Sequence, residues 1–137
     1  MYEVLNGFCF LFHTVFVLFI LFGWVARKTR PWHLGACLLT AFSWGILGIR
    51  YGFGYCPFTD WHWHIREHLG YADMPRSYLK FLFDKITGLD ANADLVDNTA
   101  VAAFAAATLL SLALNRHDWR RAKAGGGPGP RDTREQP

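Results

Sequence analysis

Charge is missing from long stretches of this sequence. Residues 4–26 contain no Asp, Glu, Lys or Arg, and residues 32–52 and 99–115 hold one such residue between them, Arg50. A soluble fold needs charged positions on every exposed face, so these stretches are not surface helices of a soluble domain. Cysteine is also scarce. Cys9, Cys37 and Cys56 form no C-x-x-C pair, which excludes a zinc ribbon and a c-type haem attachment site. Basic residues are too few, and too little interleaved with aromatics, for a nucleic-acid surface. No nucleophile-elbow motif surrounds Cys56, His62 and Asp60, so Ser-His or Cys-His catalysis has no motif behind it. Asp90, Asn92 and Asp94 start like a calcium loop, but Leu95 stands where glycine is needed and Val101 where the closing glutamate is needed.

What is present is apolar. The chain of 137 residues is 52% hydrophobic and 17% aromatic, with 12 Phe and 6 Trp. That is too much apolar surface for one soluble core, and it comes in three blocks. At about 1.5 Å per residue, ~20 residues cross a ~30 Å hydrocarbon layer. The expected spans are residues 4–26, 32–52 and 99–115, within a polytopic membrane domain 1–115. A cleaved signal peptide would carry positive charge ahead of its apolar core. Here Glu3 precedes the core and Arg27, Lys28 and Arg30 follow it, so an uncleaved span with its N-terminus outside is expected. Pro31 suits the first turn of span two. Gly45 and Gly48 within it suggest a close helix–helix contact. Asp97-Asn98-Thr99 reads as the cap of span three.

The loop 53–98 connects the last two spans. Gly52, Gly54 and Pro57 break the helix before it, and 60–70 suits a short helix. Asp73-Met74-Pro75-Arg76 reads as a turn and Ser77 as an N-cap. Residues 77–87 have an amphipathic period closed by Gly88 and are too short to span, so the loop is expected to hold one or two short interfacial helices. Residues 116–137 are basic and then Gly/Pro-rich, and read as a disordered tail. The turn at 27–30 carries three Lys/Arg and the tail six, while the loop carries four over a longer stretch with six acids from Asp60 to Asp94. This bias puts turn and tail in the cytoplasm and the loop outside. Trp24, Trp32 and Trp119 then mark the inner interface, and Trp61 and Trp63 the outer one.

The chemically dense segment is Cys56 to His68. His64-Ile65-Arg66-Glu67-His68 fits H-x-x-E-H, the inverted zincin pattern, in which two histidines on one helix face bind zinc and the glutamate acts as base. Spacing supplies no third ligand. The candidate metal set is His62, His64 and His68, and a wet interfacial helix is the rival reading. The spans contribute His13 and His33, but these differ in depth by about 20 Å, too far for one haem iron. A histidine bonding between helices is the better role, with His13 reaching His62 or His64. His13, Arg50, Cys56, Thr59 and Asp60 form a candidate polar site at the outer end. A Cys9–Cys56 disulfide is geometrically conceivable there.

His13-Thr14-Val15-Phe16-Val17-Leu18-Phe19, then Gly23-Trp24, Trp32-His33-Leu34, Ser43-Trp44 and Cys56-Pro57-Phe58-Thr59 together resemble the domain-of-unknown-function 2784 family of small bacterial inner-membrane proteins. The resemblance covers about residues 8–114. Cys-Pro-x-Thr after the second span is its most specific part. Asp60-Trp61-His62-Trp63 departs from the Leu-Glu-rich continuation of many relatives, which marks a distinct branch and leaves His64, Glu67 and His68 outside any family motif. The resemblance implies a multi-span bacterial membrane protein and supplies no activity.

The expectation is therefore an all-α membrane protein with three transmembrane helices, in the bacterial inner membrane, N-terminus outside and C-terminus cytoplasmic. It acts by interaction with the lipid bilayer, a second copy or a membrane-protein partner, without nucleic acid and without a resident cofactor. The alternatives are a zinc- or haem-binding membrane protein using the outer histidines and, behind it, a membrane hydrolase.

Overall fold

The computed structural model describes residues 1–72 and 74–125. Asp73 of the expected turn and residues 126–137 of the expected tail lie outside the described residues. Helix α1 spans Tyr2–Phe22, α2 Arg30–Phe42, α3 Gly48–Tyr51, α4 Pro57–His68, α5 Tyr78–Thr87 and α6 Ala93–Gly125. A π-helical turn, Ser43–Leu47, joins α2 to α3. No strand occurs among the described residues. Three helical segments are long and apolar enough to cross a membrane: Tyr2–Phe22, Arg30–Tyr51 and Ala93–Ala124. The protein is all-α, with three candidate spans and two short helices between the second and third.

The charge-free run makes α1, with Glu3 in its first turn, where a carboxylate complements the positive end of the helix dipole. At its far end Gly23 packs against the next helix. A Cβ there would stand 2.8 Å from the His33 ring, a separation that side chains do not tolerate, so α1 and α2 meet this closely only because residue 23 is glycine. Span two is not one regular helix. The Ser43 hydroxyl donates to the Tyr55 carbonyl at 2.8 Å, inside the π turn, and this side-chain bond to a returning loop is one of the few causes of such a break. The glycine contact differs from the expected one. Nothing lies near a Cβ placed on Gly45, and Gly48 abuts Phe53 of its own chain rather than a facing helix.

Helix α5 starts on Ser77, whose hydroxyl accepts from the Lys80 amide at 3.2 Å, and ends on Gly88 in the left-handed region at φ 70°, which glycine enters at no steric cost. Tyr78, Phe81 and Leu82 turn inward, while Phe83 and Ile86 face out. Helix α6 differs from expectation at both ends. It begins at Ala93, capped by Asn92, whose side chain accepts from the Leu95 amide at 3.1 Å. Asp97 does not cap it, because Arg76 and Ser77 hold its carboxylate. The helix also continues past Asn115 to Gly125 instead of ending where the tail was expected. Residues 116–124 are mostly good helix formers, the basic ones complement the negative C-terminal dipole, and Lys123 lies 3.9 Å from the Trp119 ring one turn back.

The two ends of the bundle are tied differently. At one end Arg30 donates to Asp118 at 2.7 Å and to the Trp24 carbonyl at 3.0 Å, Arg27 reaches Asp118 at 3.4 Å, and the Asn115 amide donates to the Arg30 carbonyl at 3.1 Å. At the other end Arg76 bonds Asp94 at 2.7 Å and Asp97 at 2.9 Å, while Lys80 pairs with Asp84 and Asp90. Helix α4 lies antiparallel along the first half of α1. His68 stacks on Tyr2, His62 bonds Asn6, and Phe58 meets Phe12 at 5.0 Å.

Candidate functional site

The polar face of α1 carries Asn6, His13 and Thr14. Asn6 and His13 are seven residues apart, about two turns, so they share a face. Helices α4 and α5 close over it. His62 is fully buried, and its Nε2 lies 2.8 Å from Asn6 Oδ1. An amide oxygen only accepts, so Nε2 carries the proton and Nδ1 is left as an acceptor. Nδ1 is buried with no partner. His13 stacks on Tyr78 with ring centroids 3.9 Å apart, and the His62 ring lies 6.1 Å from the same tyrosine. Tyr78 donates to the Phe10 carbonyl at 2.9 Å, Thr14 donates to it at 2.7 Å, and the two hydroxyls are 3.0 Å apart.

Beside this cluster sits Arg66, one helical turn after His62 and 8% exposed. Its guanidinium carbon is 4.2 Å from the Tyr71 ring, 4.6 Å from Phe81 and 6.0 Å from Trp63. The buried Nε has no hydrogen-bond partner, and no carboxylate among the described residues pairs with the charge. Lys85 lies 4.9 Å from the Phe10 ring and 5.5 Å from Phe81. Burial pushes the pKa of His62 down to about 4, helped by the Arg66 and Lys85 charges, so the ring is neutral at pH 7. Burial pushes the Tyr78 hydroxyl up. The site is thus a neutral imidazole and a charged guanidinium, walled by aromatic rings.

The three histidines of the candidate metal set go to three places. His62 turns into the protein. His64 is exposed between Asp60 at 3.8 Å and Glu67 at 3.3 Å, and His68 stacks on Tyr2. Among the described residues no group of three His, Cys, Asp or Glu is placed to hold a metal ion. His13 and His62 both neighbour the Tyr78 ring. Arg50 is exposed and forms no ion pair among the described residues. Cys56 caps α4 in extended conformation, Thr59 is half-buried, and Asp60 accepts from the Tyr55 hydroxyl at 3.3 Å. All three cysteines are free. His33 lies at the opposite end, fully buried, with its Nε2 2.8 Å from the Ile20 carbonyl. That carbonyl is one of the last in α1 and lacks an intrahelical donor, so His33 satisfies it.

Sequence reasoning passed over Asn6, Thr14, Arg66 and Tyr78. Two spacings could have found two of them: Asn6 shares a face of an apolar span with His13, and Arg66 lies one turn from His62. A family model described as "Protein of Unknown function (DUF2784)" matches residues 3–116. No curated protein and no solved structure matches the chain.

Proposed function

The chain belongs to this family, and from that premise we propose that it is a multi-pass protein of the bacterial inner membrane that works by contact with lipid or with a membrane partner. One observation carries the reading. Only 17%, 17% and 11% of the apolar windows of the three long helices are buried inside the protein. Water does not cover such a surface at tolerable cost, so lipid or another apolar helix does. Positive charge supports the orientation. Arg27, Arg30 and the basic end of α6 share one end of the bundle, which the charge bias assigns to the cytoplasm. Helices α4 and α5 then lie at the outer leaflet, with Phe58, Trp61, Phe83 and Ile86 exposed toward acyl chains and headgroups.

Paired reporter fusions at residue 137 test this. A cytoplasm-active fluorescent protein should light up, and an alkaline phosphatase fused at the same position should stay inactive. The opposite pattern, or release of the protein from membranes by alkaline carbonate, sinks the reading.

A further inference from the structure

We infer that the outer end of the protein binds the phosphate group of a phospholipid headgroup at Arg66 and Lys85. The inference rests on the membrane placement proposed above. Its first support is a census of charge. The cations Arg76 and Lys80 each stand against two carboxylates: Asp94 and Asp97, Asp84 and Asp90. Arg66 and Lys85 have no carboxylate partner among the described residues. Yet both stand by the same ring, 4.6 Å and 5.5 Å from the centre of Phe81.

Two like charges beside one buried ring repel, and a guanidinium that is 8% exposed has lost most of its hydration. Aromatic faces recover part of that loss. The unpartnered Nε of Arg66 and a neutral His62 leave the remainder to an anion. A guanidinium fork and an ammonium, 4.6 Å and 5.5 Å from the centre of one ring, suit the tetrahedral oxygens of a phosphate better than a carboxylate.

Depth identifies the source. Arg66 lies within one turn of His68, which stacks on Tyr2 at the very start of α1. If α1 crosses the bilayer, its start is at the headgroup level, where the phosphates of lipids stand. The neighbouring cavity of about 280 Å³ is not the phosphate position, because Glu3 lines it together with Asn6, Gly7, Leu69 and Tyr71. The phosphate sits on the Phe81 side, away from that carboxylate.

The test uses the full chain in maltoside detergent. Dihexanoyl phosphatidylglycerol, dihexanoylglycerol and inorganic phosphate are titrated separately, and bound ligand is counted by native mass spectrometry. The expected result is one phosphatidylglycerol per chain and no dihexanoylglycerol. Arg66→Gln should weaken binding about tenfold or more and Lys85→Gln about threefold to fivefold, as loss of a charge-assisted contact does. Arg76→Gln, whose charge is already paired, should change nothing. Lys85 is exposed, so its variant reports even where Arg66→Gln fails to fold. Equal binding by wild type and Lys85→Gln overturns the proposal, as does absence of bound lipid. Saturation by inorganic phosphate at the concentration that suffices for the lipid overturns the lipid assignment. None of these outcomes moves the reporter fusions, so failure of the site and failure of the membrane topology are told apart.

Discussion

His62 couples the stability of α4 and α5 to pH. Its folded pKa is about 4, against about 6.5 for the exposed side chain. Between these values the unfolded chain binds the proton and the folded one does not. Stability from this residue is therefore complete above about 6.5, is lost as the pH falls through that window, and levels off below about 4, for a total on the order of 3 kcal/mol. Thermal unfolding in detergent at pH 7.5 and 4.5 should show the loss in wild type and a smaller one in His62→Gln. At the other end of α1 the critical residue has no side chain. Gly23→Ala places a methyl 2.8 Å from the His33 ring and should cost about 1–3 kcal/mol, because His33 is fully buried and holds the Ile20 carbonyl. A melting temperature unchanged by that substitution contradicts the packing described.

Helix α6 depends on both of its ends. Asp118 takes Arg27 of the turn between α1 and α2 and Arg30 at the start of α2, so Asp118→Asn should loosen that turn and speed hydrogen exchange at residues 23–29, while leaving residues 77–87 protected. Arg30 is the better-buried partner, and the cost falls mainly there. The elements themselves were largely legible. Runs without charge gave the three long helices, and Ser77 and Gly88 gave α5 its ends, because caps and breakers act locally. The start of α6 was not legible, since Asn92 and Asp97 are both good caps and only the distant Arg76 and Ser77 decide which one is free. The π turn has the same origin: Ser43 alone says nothing until Tyr55 returns to it. The candidate site was half legible. His13 and His62 stand out as polar residues near or within apolar runs. Arg66 passed as one more interfacial cation because its burial is created by Tyr71 and Phe81 from other parts of the loop.

The whole molecule is a thin bundle that shields little of itself. Its cysteines report on that shielding. Cys9 and Cys37 are buried, and Cys56 is partly exposed where α4 begins. Maleimide should therefore label Cys56 in intact membranes and reach the other two only after denaturation; rapid labelling of Cys9 would mean that α4 does not cover α1. That cover also dictates an order of assembly. Asn6 is made 56 residues before the His62 that bonds it, and Thr14 is made 64 residues before Tyr78. On the proposed membrane placement, the first span enters the bilayer with its polar stripe bare, and stays incomplete while the second span is inserted and the loop is made. Only then do α4 and α5 fold back against it. On that placement a span made well before its partners is among the last to reach its final surroundings, and whatever handles the nascent chain must shelter that stripe from lipid in the interval.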